Sequence, residues 1–392
     1  MRSILFVHHV SVIGGASYCL LNILKEVDRS KYTPIVLLKD KGPLVDEISR
    51  LGISVYYLPS LCTVPYNVTF VKPSTIQSYR KVCKSKIAFF QILQQIKPDI
   101  LYLNNSMLYP YLRIAKEAGI KTLIHIREHW PLDEHVIQLS WFQKNISKYA
   151  DHIIAINEYS AQMVPNVEPK TTIIYDWIDF TDRYVKYDMN KLLGEDVSDK
   201  KLFLYTGGMQ YIKGAIEVLE GFSRTAHSDY RLIALGCNPE LNLRGWRGFL
   251  KKLLLRLGYQ IKSIRLANAI INDNRIKCIP STYAIKDIIQ QSYCVLSYFT
   301  MPHANLALAE SIILKTPVLA AHTAESDEYS YKGKYAELFE FKNKNQFESK
   351  LSDIDLWRPN LINRLEEGSL KLADKFDRNR NAIKFRNILD NI

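Results

Sequence analysis

The sequence lacks the patterns that identify several common classes of protein. Its 392 residues contain no run of 18 apolar residues, so no membrane-spanning helix is predicted. The six cysteines are scattered and form no CxxC pair, which argues against zinc and redox motifs and is typical of a reducing compartment. Neither GxGxxG nor a Walker A pattern is present. No metal site and no bound cofactor are therefore expected.

Acidic residues are outnumbered by basic ones. The formal net charge is +12 and the isoelectric point is near 9.2, which favours an anionic partner. Nucleic acid, an acidic membrane surface and a nucleotide-type substrate all qualify by charge. No helix-turn-helix, RNP-type or zinc-finger pattern occurs, so nucleic acid is not predicted as a partner. The first apolar run is too short, and too interrupted by His8 and His9, for a signal peptide, and a cytoplasmic location is expected.

Short runs that are apolar throughout alternate with segments of helical periodicity. This pattern predicts parallel strands covered by helices on both faces, that is, an α/β fold. A polar stretch at 183–201 interrupts the alternation, which then restarts with KLFLY. Two consecutive α/β domains are predicted, with boundaries at 1–182 and 183–370, followed by a closing helical segment at 371–392 that we expect to pack back towards the N-terminal domain.

The loops after the strands are where open α/β sheets bind ligands. After KLFLY, the turn TGGMQYIKG places Gly207 and Gly208 before Lys213 at a helix start. Glycine lets backbone amides approach an anion, and the helix dipole there favours negative charge. The loop predicts a phosphate cradle, although a tight turn with a solvated lysine has the same pattern.

A second loop of interest precedes the apolar helix LALAESIIL. His303 and Asn305 lie in the loop, the helix begins near Leu306 within 306–316, and Glu310 follows. A carboxylate in an apolar segment is costly to bury unpaired, and it is well shaped to accept hydrogen bonds from two sugar hydroxyls. The alternatives are an ion pair with Lys315 or a surface position.

Two N-terminal loops complete the set. Gly15 follows the first strand in HHVSVIGGASY, and the segment HIREHW brings His125, Arg127 and Glu128 to the end of a buried strand. The second group is a candidate for acid–base or hydroxyl-orienting work, or else a surface cluster of ion pairs.

In this order the landmarks resemble a retaining glycosyltransferase of family 4. They are ILFVHHVSVIGGA, PDILYLNNS, HIRE, ADHIIAINEYSAQMV and TTIIYDWIDF in the first domain, then LFLYTGGMQYIKG, YRLIALGC and the Glu310 helix with KTPVLAA in the second. The resemblance covers most of the chain. It implies the GT-B fold, in which two Rossmann-like domains with parallel sheets face each other across a cleft.

The resemblance also implies roles for individual residues. Lys213 matches the lysine that binds the donor diphosphate, whereas Gly208 occupies the position of the usual arginine. Of the family's two glutamates, Glu310 matches the second, which holds the ribose, whereas Pro302 stands where the first, near the donor sugar, is usual. Gly15 matches the glycine whose backbone faces the diphosphate. The other donor-side residues implied are Gly207, His303, Asn305 and Leu306.

On the acceptor side, either His125 or Arg127 matches the histidine of the catalytic region, with Glu128 beside them. Asp179 matches the aspartate of the usual NGxD segment, with Asp176 in place of its asparagine, and both are interpreted as structural. The implied activity is metal-independent transfer of a sugar, with retention, from a nucleotide-diphosphate sugar to a glycan or lipid-linked acceptor. The alternative, suggested by Gly208 and Pro302, is an inactive sugar-nucleotide-binding or scaffold protein at the membrane.

One segment, 241–270, has the composition of an interfacial amphipathic helix. Its apolar and basic residues alternate at helical spacing with no acidic residue between 241 and 270, and the proposed membrane contacts are Arg244, Trp246, Arg247, Phe249, Lys251, Lys252 and Arg256. A second basic helix at 78–93 is a candidate to join it. The alternative is a pair of core helices with solvated basic faces. On the first interpretation the protein is peripheral at the inner face of the membrane and assembles a surface polysaccharide or glycolipid.

Overall fold

The computed structural model describes residues 1–12, 14–66, 73–130, 137–178, 180, 185–225, 227–238, 253, 262–282 and 284–392. The chain divides into two compact units. The first consists of Met1–Trp177 together with Phe376–Ile392, and the second is the continuous segment Ile178–Lys375.

The first unit is built on a seven-stranded sheet in which every strand pair is parallel. The spatial order is β3-β2-β1-β4-β5-β6-β7. The strands are β1 Arg2–His8, β2 Tyr32–Leu38, β3 Ser54–Tyr57, β4 Ile100–Leu103, β5 Lys121–Ile126, β6 His152–Ala155 and β7 Thr171–Ile173. The order reverses between β1 and β4, and a reversal of this kind opens a crevice beyond the carboxyl ends of the two strands.

Seven α-helices flank this sheet within the described residues. They are α1 Gly15–Lys25, α2 Pro43–Arg50, α3 Pro73–Ile96, α4 Leu112–Glu117, α5 Ile137–Tyr149, α6 Glu158–Ala161 and α15 Arg378–Asn391. Short 3-10 turns span Ser106–Tyr111 and Glu168–Lys170. Apolar side chains from both faces of the sheet are buried, which is why its strands read as continuous apolar runs rather than alternating ones.

Helix α15 belongs to this first unit although it lies at the other end of the chain. Phe385, Ile388 and Leu389 join the apolar core that contains the strand residues Ile4 and Phe6. The core on this face of the sheet is therefore assembled from the two ends of the sequence.

The second unit repeats the architecture with a six-stranded parallel sheet of order β10-β9-β8-β11-β12-β13. Its strands are β8 Lys201–Tyr205, β9 Tyr230–Leu235, β10 Ile276–Ile279, β11 Cys294–Ser297, β12 Val318–Ala321 and β13 Glu337–Phe339. Its helices are α7 Met189–Leu193, α8 Ala215–Arg224, α9 Lys262–Ile271, α10 Lys286–Gln290, α11 Leu306–Ile313, α12 Ala324–Ser330, α13 Lys344–Ser352 and α14 Ile354–Lys375, with a 3-10 turn at Tyr211–Lys213. The strand order reverses between β8 and β11.

The predicted α/β class with two parallel sheets is confirmed. The short strand β13 was not predicted, because its three residues carry too little periodicity. Helix α11 ends at Ile313 rather than at 316, because Lys315 adopts a left-handed backbone (φ +59°) and Pro317 follows.

Candidate functional site

Polar and charged candidates lie at the carboxyl edge of each sheet, next to the point where the strand order reverses. In the second unit they follow β8 and β11, and in the first unit they follow β1, β4 and β5. Each unit therefore presents its own cluster in the place where sheets of this type bind ligands.

In the second unit, the loop after β8 carries Lys213 at its end. Gly214 follows it with φ +71° and caps α8. A β-carbon on Gly214 would lie 1.9 Å from the carbonyl oxygen of Tyr298, so this position requires glycine on two grounds. Thr300 donates from its backbone N–H to the carbonyl oxygen of Ile212 at 2.9 Å, which ties the loop after β11 to the loop after β8. These contacts fix the backbone from which the Lys213 side chain extends.

The charges of Lys213 and Glu310 are both partly desolvated. Burial lowers the pKa of Lys213, and the nearby Glu310 opposes that change. Burial raises the pKa of Glu310 to about 7, while Lys213 acts in the opposite direction. Among the described residues neither side chain has an ion-pair or hydrogen-bond partner. Lys315, the alternative partner of Glu310, instead pairs with Glu366.

Helix α11, which carries Glu310, begins in a defined cap. The Asn305 side chain accepts a hydrogen bond from the Leu308 backbone N–H at 3.1 Å and donates to the Ser297 hydroxyl at 2.8 Å. The role of Asn305 is therefore to hold the start of the helix against the end of β11. Its first residue, Leu306, is half-buried, as is the preceding loop residue His303, whose ring centre lies 6.1 Å from that of Phe299. This helix start supplies backbone amides that suit an anion.

The backbone explains why Gly207 and Gly208 are glycines. A β-carbon at Gly207 would lie 2.1 Å from the Tyr205 hydroxyl oxygen, and Gly208 has φ +57°. The usual arginine at position 208 would therefore sit in a strained left-handed conformation. Pro302, at the position of the usual first glutamate, contributes no backbone N–H. Lys213 and the nearby backbone amides are the groups in this loop that could bind an anion.

In the first unit, Gly14 and Gly15 form the start of α1. Gly14 is extended (φ −152°) and caps the helix. A β-carbon on either residue would meet no protein atom within 4 Å. The packing of this unit does not require glycine here, so the open space in front of α1 is available to a ligand.

His125, at the end of β5, is almost fully buried with one ring nitrogen occupied. Its Nδ1 accepts hydrogen bonds from the Tyr102 hydroxyl at 2.6 Å and from the Arg127 guanidinium at 3.2 Å. The proton of the neutral ring is consequently on Nε2, which is buried and has no hydrogen-bond partner among the described residues. Burial, aided by the charge of Arg127, lowers the pKa of His125 well below its ordinary value. The ring is suited to donating a hydrogen bond to a hydroxyl rather than to acting as a base.

Arg127 and Glu128 are buried and already hold protein partners. Arg127 binds both carboxylate oxygens of Asp176 and donates to the Asn104 carbonyl at 3.0 Å. Glu128 accepts hydrogen bonds from the backbone N–H and the hydroxyl of Ser106. The surface ion-pair alternative for this segment is wrong, because both side chains are less than one tenth exposed. Their contacts favour positioning roles, and those of Asp176 favour the structural one.

Two matched pairs of residues at the same edge were not identified from the sequence. The Asn104 amide donates to His8 Nδ1 at 3.0 Å, and the Asn105 amide donates to His9 Nδ1 at 2.5 Å. The side-chain oxygens of both asparagines are buried, with no hydrogen-bond partner in the part of the chain that the structure describes. Burial lowers the pKa of His9 to about 4 and that of His8 well below its ordinary value. Both rings are therefore neutral at pH 7. The sequence feature that could have identified them is their position at the carboxyl ends of β1 and β4, which are neighbours in the sheet.

Several predicted residues lie outside the described part of the chain. They are Asp179 and the proposed membrane contacts Arg244, Trp246, Arg247, Phe249, Lys251, Lys252 and Arg256. Within the described residues, no three His, Cys, Asp or Glu side chains are grouped so as to hold a metal ion. No described helix has both the length and the apolar character needed to cross a bilayer.

The sequence of the first unit matches a known domain family. A family model described as a glycosyl transferase 4-like domain aligns with residues 14–167. The matched segment lies within the first unit and spans most of it. The predicted resemblance to family 4 glycosyltransferases is thereby confirmed. No curated protein matches the chain in sequence.

Solved structures with the same overall fold are glycosyltransferases of the GT-B type. Anabaena HepE, in complex with UDP-glucose, superposes with a TM-score of 0.71 and 17% identity over 100% of both chains. A glycosyltransferase from Rickettsia africae ESF-5 superposes with a TM-score of 0.65 and 17% identity, over 100% of this chain and 99% of that one. Sucrose-phosphate synthase from Thermosynechococcus elongatus superposes with a TM-score of 0.68 and 12% identity, over 100% of this chain and 99% of that one. At these identities the likeness shows the GT-B fold alone.

Proposed function

We propose that this glycosyl transferase 4-like chain moves a sugar, with retention and without a metal, from a nucleotide-diphosphate sugar to an acceptor hydroxyl. The observation that carries the proposal is the desolvated Lys213 beside Glu310 at the strand reversal of the second unit. A cation without a protein partner suits a diphosphate, and a carboxylate without one suits the two hydroxyls of a ribose.

The two units differ in the charge of their candidate residues, and this difference supports separate sites for the donor and the acceptor. The second unit offers a lysine and helix-start amides, which suit an anion. The first unit offers neutral imidazoles and amide groups, because the pKa values of His8, His9 and His125 are lowered and Arg127 is paired with Asp176. Neutral donors and acceptors suit sugar hydroxyls. We therefore assign the donor to the second unit and the acceptor hydroxyl to the first.

Catalysis would then depend on stabilising the leaving group. Negative charge builds on the diphosphate as the bond to the sugar breaks, and preorganised amides together with Lys213 would stabilise it. His125 would orient the acceptor through its Nε2–H. We further propose that the chain works at the inner face of the membrane, in assembly of a surface polysaccharide or glycolipid, because of its net charge of +12.

The test is a thermal-shift screen of the full chain against UDP, GDP, ADP and their common sugars. Because HepE was crystallised with UDP-glucose and with UDP, UDP is the first nucleotide to try. A ligand that binds only the folded state raises its melting temperature. We expect one nucleotide to stabilise the wild type and the exposed-lysine control Lys191→Ala, but not Lys213→Ala.

The screen is followed by an assay of donor hydrolysis and transfer. Loss of turnover in Lys213→Ala, with turnover retained in Lys191→Ala, supports the enzyme. Nucleotide binding without any turnover would favour the inactive sugar-nucleotide-binding protein instead. No stabilisation by any nucleotide would contradict the donor site itself.

A further inference from the structure

Helix α3 has two faces of opposite character. One face is buried and packs on the first unit through Val82, Phe89 and Leu93. The other is exposed along four turns, and it carries apolar as well as basic side chains. An exposed face of this kind on a helix that is already packed needs a separate explanation.

The exposed apolar residues of α3 fall on one line. Ile76 is 39% exposed, Ile87 is 70% exposed and Phe90 is 40% exposed. Cys83 lies between them and is also exposed. The spacings of seven, four and three residues bring all four to one side of the helix. Apolar side chains grouped in this way on a surface mark an interaction site more often than isolated ones do.

The charges that flank this line are all positive. Arg80, Lys81 and Lys84 are exposed, Lys86 is half-buried, and α3 contains no Asp or Glu. None of the four cations forms an ion pair with any residue that the structure describes. The positive charge of this face is therefore not neutralised within the described part of the first unit.

Helix α5 extends the surface. The ring of Trp141 is 40% exposed and meets the Tyr79 ring of α3 edge-on, with ring centres 5.5 Å apart. Helix α5 also contains no acidic residue, and Lys144 and Lys148 are exposed on it. Tryptophan is enriched where proteins meet the boundary between lipid and water. The two helices together carry six cations and no carboxylate.

We propose that this α3–α5 surface, made of Ile76, Arg80, Cys83, Lys84, Ile87, Phe90 and Trp141, docks on an anionic lipid bilayer. The cations bind lipid headgroups, and the apolar side chains enter the boundary region between headgroups and acyl chains. A nucleic acid is the less suitable occupant, because Ile87 and Phe90 gain nothing from a phosphate backbone. The inference deepens the membrane location given under the proposed function, and it does not depend on the donor chemistry.

The experiment is co-sedimentation of the full chain with vesicles of phosphatidylcholine alone or with 30% phosphatidylglycerol. We expect binding to the anionic vesicles only, weakening as salt rises. Arg80→Glu/Lys84→Glu should reduce the affinity by at least roughly 30-fold, since each cation near an anionic surface contributes about a fivefold factor. The control Arg29→Glu/Lys121→Glu has the same change of net charge on other exposed positions and should weaken binding far less.

Two further measurements address the apolar side chains. Ile87→Ser/Phe90→Ser should reduce binding, whereas Leu356→Ser/Leu370→Ser, at exposed leucines of α14 in the second unit, should not. All six cysteines are described and Cys83 is the exposed one, so an environment-sensitive fluorophore can be attached there. Its emission should shift to the blue on anionic vesicles.

The outcomes separate this inference from the donor site. Failure of the wild type to bind anionic vesicles, or unchanged binding by both α3 variants, would overturn the α3–α5 surface. Binding to anionic vesicles without a blue shift at Cys83 would show that the protein docks through another surface. If the protein shows no preference for anionic lipid and a DNA duplex displaces it from the vesicles, the surface binds nucleic acid instead. The rise in melting temperature caused by the nucleotide should be the same in all four variants as in the wild type. Absence of that rise would contradict the donor site and not the α3–α5 surface.

Discussion

Lys213 and Glu310 carry opposite charges into the same partly enclosed region of the second unit, yet no ion pair joins them. Each side chain shifts the pKa of the other, and for both of them burial is the larger influence. A pair that merely stabilised the fold would close its charges on each other. Two charges held separately are suited to a ligand that has an anionic part and a hydroxylated part.

The first prediction concerns the pH dependence of donor binding. The pKa of Glu310 is about 7, and a carboxylate accepts hydroxyl hydrogen bonds only when ionised. Affinity for a nucleotide sugar should therefore rise from pH 5.5 to 8.5, by up to about 30-fold, because the ionised fraction rises with it. A nucleotide sugar is the appropriate ligand, since its phosphates do not titrate in this range. Calorimetry at several pH values measures the effect.

The same carboxyl makes a prediction for stability. Its folded pKa is raised above the ordinary 4.5, so the folded state holds the proton more tightly than the unfolded state. This contribution is present below pH 4.5 and is lost as pH rises to about 7, at a cost of at most about 3 kcal/mol. In Glu310→Gln the free energy of unfolding and the nucleotide-sugar affinity should both depend less steeply on pH than in the wild type. Glu366→Gln should behave as wild type. Parallel slopes in wild type and Glu310→Gln would contradict the assignment.

The second prediction is that an arginine at position 208 will not improve nucleotide binding. Gly208 has φ +57°, and a side chain there costs about 1–2 kcal/mol of stability. Gly208→Arg should lower the melting temperature as much as Gly208→Ala does, without tightening nucleotide binding. Urea unfolding measures the loss of stability, and the thermal shift caused by added nucleotide measures binding. Tighter binding in Gly208→Arg alone would mean that the loop can accept the side chain.

The third prediction separates chemistry from donor binding. His125 belongs to the first unit, and none of the residues that the structure describes accepts a hydrogen bond from its Nε2–H. His125→Ala should reduce kcat for transfer by about 100-fold, the usual cost of removing one preorganised donor, with nucleotide affinity unchanged. His152→Ala, at the opposite edge of the sheet, serves as the control. A loss of nucleotide affinity in His125→Ala would show that this residue contacts the donor instead.

The fourth prediction tests the buried pair of Arg127 and Asp176. Arg127→Met leaves a carboxylate buried without its partner and should destabilise the first unit by about 3–5 kcal/mol. Arg127→Met/Asp176→Leu removes both charges and should recover most of that loss, as measured by urea unfolding. If the double variant is as unstable as the single one, Arg127 is needed for more than the pair, for example to hold the Asn104 carbonyl.

The parts of this molecule that the sequence predicts best are those carried by local patterns. Continuous apolar runs such as KLFLY and KTLIHI predict β8 and β5 because a parallel strand buries both faces. Lys213 could be singled out because it follows two glycines at a helix start, and Glu310 because it is a charge in an otherwise apolar helix. Periodicity and residue type are sufficient in such cases.

The parts that were missed depend on which strands are neighbours. The pairs His8 with Asn104 and His9 with Asn105 join residues 96 positions apart. They form because β4 lies beside β1, an arrangement that no local pattern contains. Likewise, the positive φ of Gly208 follows from the turn it occupies rather than from the residues around it.

Helix α15 has a consequence for how the chain acquires its structure during synthesis. The core of the first unit needs Phe385, Ile388 and Leu389, which the ribosome adds only after all of Ile178–Lys375. The second unit is continuous in sequence and can fold as soon as it emerges. The first segment must therefore wait, with the part of its sheet that α15 covers still exposed, for a helix that is made after the second unit. That interval is when the nascent chain is most exposed to aggregation and most in need of a chaperone.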